Sequence, residues 1–129
     1  MTQRLALLSI LVPDYDAGIA FFVDKLGFAL LEDTDLGDGK RWVRVAPAGA
    51  ETGFLLARAV GKRQIDAIGN QGGGRVWLFL ATDAFAEDHA RMIADGVVFE
   101  ETPRNEPYGI VAVFRDPFGN RWDLIEFKR

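Results

Sequence analysis

Residues 116–126 read Asp-Pro-Phe-Gly-Asn-Arg-Trp-Asp-Leu-Ile-Glu, a turn followed directly by a strand pattern. Asp and Pro at the start are typical turn residues, and Gly119 and Asn120 tolerate a positive φ. The residues that follow predict a strand over 121–127. The stretch therefore predicts a chain reversal that leads into the last strand of a sheet.

A second informative stretch lies near the N-terminus, where residues 12–28 read VPDYDAGIAFFVDKLGF. Asp14 is a candidate helix N-cap, because its carboxylate can accept hydrogen bonds from free backbone N–H groups. Apolar residues then recur at i, i+3, i+4 and i+7 along one helical face, at Ile19, Phe22, Val23 and Leu26. Gly27 is positioned to end this helix.

The second half of the chain repeats the first at a constant offset. Asp14 and Asp83, both candidate N-caps, are 69 positions apart, and so are Gly27 and Gly96. A period of this length indicates two copies of one supersecondary unit. Strands are predicted at 4–12, 28–34, 41–46 and 53–58, and again at 75–81, 97–101, 108–115 and 121–127. Each copy reads β-α-β-β-β, with module one at 4–58, a glycine-rich linker at 59–74 and module two at 75–127.

Composition excludes several classes of function. The chain has 129 residues, 15 Lys and Arg against 19 Asp and Glu, one histidine and no cysteine. The net charge of −4 disfavours nucleic-acid binding. Absence of cysteine excludes thiol chemistry and fits a cytoplasmic location. The apolar run at 5–12 is too short to span a membrane, and Pro13 follows it, so a buried strand is expected there.

The duplicated β-α-β-β-β unit, the DPFGN turn and the LGF helix ending resemble the glyoxalase/bleomycin resistance/extradiol dioxygenase group, the vicinal oxygen chelate superfamily. The resemblance covers nearly the whole chain. It implies an α+β fold of two βαβββ modules, with eight strands in curled mixed sheets and helices outside. It also implies a homodimer, and commonly a divalent metal held by His and Glu from the first and last strands of both modules.

The four positions that this resemblance assigns to metal ligands are poor in donors. They hold Leu7, Gly53 or Phe54, Trp77 and Asp123. A single carboxylate does not hold a divalent ion. We therefore expect no metal site and no other cofactor.

An apolar and aromatic cavity is expected in place of the metal. Strand alternation puts Arg75, Trp77, Phe79 and Ala81 on one face of their strand, and Tyr108, Ile110, Ala112 and Phe114 on one face of theirs. Asp123 would lie among them, with Arg44 or Arg121 as possible partners. The candidate ligand-binding residues are Leu7, Arg44, Trp77, Phe79, Tyr108 and Asp123. The alternative is that these side chains only fill the core.

Catalytic candidates are few. Asp123, Glu106 and Tyr108 could serve in acid–base chemistry, although a solvated loop carboxylate is the simpler interpretation of Glu106. His89 follows Phe85 by one helical turn, at the edge of an apolar stripe, which favours a structural histidine.

Three functions remain open. The first is metal-independent binding of a small apolar or aromatic molecule, with a cationic aromatic drug suited to the acidic chain. The second is a lyase, isomerase or dioxygenase of the same superfamily, acting on a small metabolite. The third is an interaction module without a ligand. Fold alone does not choose among them, and neither nucleic acid nor membrane is expected as a partner.

Overall fold

The computed structural model describes all residues, 1–129, and the chain divides into two compact units. Unit 1 comprises Met1–Ile68 and unit 2 comprises Gly69–Arg129. Each unit contains one sheet whose first and last strands run parallel to each other. None of the helices is long and apolar enough to cross a membrane.

Unit 1 builds a four-stranded sheet. Its elements are β1 (Leu7–Val12), α1 (Tyr15–Ile19), a π-helical segment (Ala20–Lys25), β2 (Ala29–Gly37), β3 (Lys40–Ala46), β4 (Gly53–Arg58) and α2 (Lys62–Ala67). The strand order is β1-β4-β3-β2. β1 and β4 are parallel, whereas β3 pairs antiparallel with both β2 and β4.

The helix of unit 1 begins and ends where the sequence predicts. The Asp14 carboxylate accepts a hydrogen bond from the Ala17 backbone N–H at 2.7 Å. Gly27 follows the helix with a φ of +80°. The apolar stripe differs from the prediction, because the second half of the helix is π-helical and has a wider turn. Phe21 and Phe22 are consequently both buried, while Ile19 and Val23 are only half-buried.

The core of unit 1 lies between this helix and one face of the sheet. Phe22 is fully buried and stacks on Phe54, with ring centroids 5.8 Å apart. Gly18 permits the close approach of helix and sheet, since a Cβ there would meet Leu56 Cδ1 at 2.8 Å. The buried strand residues on this face are Ile10, Val12, Val43, Val45, Phe54 and Leu56.

Unit 2 contains a five-stranded sheet. Its elements are β5 (Val76–Ala81), α3 (Phe85–Ala94), β6 (Val98–Phe99), β7 (Arg104–Glu106), β8 (Gly109–Arg115) and β9 (Arg121–Phe127). The order is β5-β9-β8-β6, with β7 also paired to β8. The structure has nine strands and not the predicted eight. The additional strand is β7, which was not predicted because its three residues are polar and show no apolar period.

The start of α3 corrects the prediction of an Asp83 cap. The N-cap residue is Ala84, which makes no side-chain cap bond. Two other side chains accept from the first N–H groups: Thr82 Oγ1 from Ala84 at 3.0 Å, and Glu126 Oε1 from Phe85 at 2.8 Å. The acceptor from β9 is 41 residues away, so no local pattern could identify it.

A chain of aromatic contacts joins α3 to its sheet. Neighbouring rings lie 4.5–5.6 Å apart in the order Phe85, His89, Phe99, Phe114, Trp122. His89 packs between two phenylalanine rings, in agreement with a structural role.

The turn before β9 is held by one buried carboxylate. Asp116 is 3% exposed, and its Oδ1 accepts from the backbone N–H groups of Phe118, Gly119 and Asn120 at 3.0 Å. Its Oδ2 accepts from Asn120 Nδ2 and Trp122 Nε1. Gly119 has a φ of +114°, as the sequence predicts. Asn120 does not have a positive φ; it is fixed by its side-chain bond to Asp116.

Candidate functional site

The sheet of unit 2 has two chemically different faces. On β9, Trp122 and Glu126 contact the aromatic chain and the start of α3. Strand alternation directs Arg121, Asp123 and Ile125 to the opposite face. We call this opposite side the Asp123 face, and its central row consists of Phe79, Asp123 and Val113, which are partners in register.

The central row combines an exposed ring with a buried charge. Phe79 is 65% exposed, although large aromatic side chains are usually covered. Beside it, Asp123 is 8% exposed and Val113 is buried. An apolar surface with one convergent polar group is typical of sites that bind small molecules.

Asp123 is incompletely satisfied. Its Oδ1 is buried and has no hydrogen-bond partner. Burial raises the pKa of the Asp123 carboxyl, because it disfavours the charged form. A buried polar atom without a partner is costly, so a hydrogen-bond donor that reached this oxygen would relieve that cost.

The nearby arginines are already engaged by other carboxylates. Arg104 on β7 donates to Glu101 at 2.9 Å and to Glu106 at 2.7 Å. Arg121 donates to Glu100 at 2.9 Å, and Glu100 also binds Arg115. The charges of Arg104 and Arg121 lower the pKa of Asp123 but do not cancel the effect of burial, and the Glu101 charge raises the pKa further.

Several predicted site residues lie close to this face. Glu106 accepts a hydrogen bond from Arg104, and Tyr108, which lies between β7 and β8, is half-exposed. Trp77 lies at a register irregularity between Val76 and Leu78, with its Cβ close to Gly72. Asp123 and Phe79 are direct neighbours in register, while Glu106 is bound to Arg104, whose charge acts on Asp123.

The even-numbered residues of β8 share one face, as predicted, but this face is not the one that carries Asp123. Val113, not its even-numbered neighbours, is the register partner of Asp123, and Phe114 stacks on Trp122. Ile110 and Ala112 share the face of Phe114 by alternation. Alternation within one strand does not show which of its two faces meets Asp123, because the register with β9 decides this.

Two predicted ligand-binding residues, Leu7 and Arg44, belong to unit 1. Arg44 forms an ion pair with Glu32, with Nε and Oε1 3.0 Å apart. Leu7 is half-buried at the start of β1, opposite Gly53. Asp123 was expected to pair with Arg44 or Arg121. Instead, Arg44 pairs with Glu32 and Arg121 pairs with Glu100.

The sequence analysis missed Glu100, Glu101 and Arg104. The only available signal was the alternation of acidic and basic residues over 100–106, which is equally typical of a solvated loop. Glu101 Oε2 also accepts from the Val113 backbone N–H at 2.9 Å and so attaches this segment to the central row.

The donor set does not fit the metal that the fold family implies. Of the corresponding positions, Leu7, Gly53 and Trp77 offer no oxygen or imidazole ligand, and Asp123 alone does. No three His, Asp or Glu side chains are grouped so that they could hold a metal ion.

Comparison with known proteins agrees with this fold. The sequence model of the Glyoxalase/Bleomycin resistance protein/Dioxygenase superfamily matches residues 4–124, and the chain belongs to that superfamily. An uncharacterized protein of Shewanella frigidimarina (strain NCIMB 400) is 49% identical over 128 residues, covering 98% of this chain and 95% of that protein.

Two solved structures are also similar. TnmS3, described as an antibiotic binding protein from Streptomyces sp. CB03234, is 33% identical, with a TM-score of 0.79 and 98% of each chain covered. A glyoxalase/bleomycin resistance protein from the same organism is 34% identical, with a TM-score of 0.72, covering 95% of this chain and 99% of that one.

Proposed function

We propose that this protein binds a small apolar or aromatic molecule on the Asp123 face, without a metal. The observation that carries the proposal is the buried, unpartnered Oδ1 of Asp123 in register with the exposed ring of Phe79. The ring offers a stacking surface, and the oxygen offers one directional contact that fixes the orientation of the ligand.

The relatives support binding as the type of function. TnmS3, which is described as an antibiotic binding protein, shares a third of its residues with this chain over nearly the full length of both. Because fold alone does not determine function in this superfamily, the proposal depends on the residues of the Asp123 face.

The binding test is a fluorescence titration of the purified protein with a panel of planar aromatic compounds, followed through its three tryptophans. We expect Phe79→Ala to weaken binding about tenfold, since a stacked ring contributes about 1 kcal/mol beyond the area that it buries. The matched control is Ile93→Ala, which removes an exposed apolar side chain from α3. Absence of any saturable response, or equal losses in both variants, would contradict the proposal.

Metal independence is tested in the same titration. We expect the affinity to be unchanged after exhaustive chelation and after addition of Zn²⁺, Mn²⁺, Ni²⁺ or Fe²⁺, because only Asp123 offers a ligand at the four positions. Loss of binding on chelation, restored by one of these ions, would overturn this part of the proposal.

A second candidate function is acid–base catalysis by a lyase or isomerase of the superfamily. The observation in its favour is the raised pKa of the Asp123 carboxyl, since perturbed carboxyls are common at catalytic sites. Such an enzyme would exchange substrate protons with solvent. Deuterium uptake from D₂O into small 2-oxo and 2-hydroxy compounds, present with the wild type and lost in Asp123→Asn, would favour this candidate over simple binding. A dioxygenase is disfavoured by the donor set.

We also propose a homodimer. β1 and β2 are edge strands of the unit 1 sheet and β5 is an edge strand of the unit 2 sheet, and edges of this kind favour further pairing. Light scattering coupled to size exclusion gives the test, with twice the mass of 14.3 kDa expected.

A further inference from the structure

The charged groups around Asp123 come from two elements and one connecting segment. Arg104 lies on β7, Arg121 on β9, and Glu101 on the segment before β7; these are the charges that act on the Asp123 carboxyl. The neighbouring strands β5 and β8 contribute the uncharged Phe79 and Val113 in register.

The charges in this cluster do not balance. Arg104 is bound by two carboxylates, Glu101 and Glu106, while Glu100 is shared between Arg115 and Arg121. With Asp123 ionised there are four carboxylates and three guanidinium groups, so one negative charge is unmatched. Asp123 is the carboxylate without an ion pair and the one with a buried, unpartnered oxygen.

We propose that Asp123 Oδ1 accepts either a proton or an N–H group of a cationic aromatic ligand, so that proton and ligand compete for one carboxylate and acid releases the ligand. This inference rests on the proposed binding function. It adds the charge of the ligand and the regulation of its affinity.

The direction of the pH dependence follows from linkage. Burial raises the pKa of Asp123 in the free protein, and a bound cation favours the ionised form and therefore lowers the pKa in the complex. The complex then holds fewer protons than the free protein, and binding releases protons. Affinity is full above the pKa of the free site, and it falls about tenfold per pH unit between that value and the pKa of the complex.

The probes for the test are 9-aminoacridine and acridone, two tricyclic rings of the same size that both carry N–H donors. The first is cationic, and the second neutral, over the whole range from about pH 8 to about pH 4.5. Dissociation constants are measured by fluorescence across this range, and calorimetry in two buffers of different ionisation enthalpy counts the protons released. We expect the affinity for 9-aminoacridine to fall on acidification, approaching tenfold per pH unit below the pKa of the free site, with proton release; the affinity for neutral acridone should fall by a smaller factor, because it forms no ion pair with the carboxylate.

Two variants separate Asp123 from the general acidity of the protein. In Asp123→Asn, the affinity for each probe should not change with pH, and the binding of neither probe should release protons. Asp66→Asn, which neutralises a carboxylate on α2 in unit 1, should retain the wild-type pH dependence.

The possible failures are distinguishable. If wild type binds both probes but shows no pH dependence or proton release with 9-aminoacridine, proton competition is overturned while the proposed binding function survives. An unaltered pH profile in Asp123→Asn would likewise reject Asp123 as the competing group. If neither probe binds at any pH, both this inference and the proposed binding of planar aromatic molecules fail.

Discussion

The two units are copies of one topology, yet their interiors differ in polarity. The residues buried in unit 1 are apolar, as at Phe22, Val43 and Leu56. All three buried polar residues of the chain, Asp116, Asn120 and Asp123, lie in unit 2, within eight residues of each other. Unit 1 therefore has an apolar interior, whereas unit 2 contains a polar turn and one unpaired carboxylate beside it.

The two units also begin their helices differently. In unit 1, the Asp14 carboxylate accepts a hydrogen bond from an N–H group three residues further along the chain. In unit 2, the carboxylate that accepts from the first turn of α3 belongs to Glu126, on the last strand. The helix of unit 1 thus has only a local capping bond, whereas α3 combines the local bond to Thr82 with one from β9.

The largest effect is expected from Asp116→Ala. Five donors converge on this buried carboxylate, and its removal takes an acceptor from each of them, although the Gly119 N–H keeps its bond to the Asp116 backbone carbonyl. We expect the free energy of unfolding to fall by about 4 kcal/mol, measured by urea denaturation. A loss below about 1 kcal/mol would show that the polar turn is not what holds β9 in unit 2.

A smaller loss is expected from Asp14→Ala, the corresponding test in unit 1. One exposed capping bond is removed, so the free energy of unfolding should fall by about 1 kcal/mol. An equal loss of unfolding free energy in Asp14→Ala and Asp116→Ala would show that the exposed capping bond stabilises the protein as much as the buried hydrogen bonds of Asp116 do.

Asp123→Asn is expected to stabilise the protein at neutral pH. The folded-state pKa of Asp123 is raised above its unfolded value, so its ionisation destabilises the fold as pH rises through the folded pKa. Replacing the ionised carboxylate should increase the free energy of unfolding at pH 7 by about 1 kcal/mol or less. The melting temperature at this pH should rise accordingly. The gain should shrink toward acidic pH, where wild-type Asp123 is protonated. A variant less stable than wild type at pH 7 would contradict this cost.

The smallest effect is expected from Glu32→Gln in unit 1. The Glu32–Arg44 pair is partly exposed, and such pairs contribute little. We expect the free energy of unfolding to change by no more than about 0.5 kcal/mol. A larger change would mean that unit 1 also contains a costly charged site.

Much of the fold was predictable because its signals are local. The repeat offset, Gly27 and Gly96 after the helices, and the strands at 53–58 and 121–127 agree with the structure. The π-helical segment and β7 were missed. A wider helical turn leaves the apolar spacing ambiguous, and a three-residue polar strand carries no periodic signal.

The candidate site was predictable only in part. Asp123 and Phe79 were found from their strand positions, and the structure makes them register partners. The face of β8 that meets Asp123 was predicted wrongly, and the ion pairs of Arg104 and Arg121 were not foreseen. Ion pairs between residues such as Glu100 and Arg121, 21 positions apart, depend on how strands align and leave no pattern in the sequence.

The sequence by itself determined the duplicated topology, the glycines that end the helices, the turn at Asp116 and the small number of metal donors. Each of these depends on residue type or on neighbours within one or two turns of chain. Only the tertiary structure decided that the nearby arginines are bound by other carboxylates and that Asp123 Oδ1 has no partner. The reason is that strand register, and not sequence distance, determines which charged groups meet, and therefore which one remains unpaired.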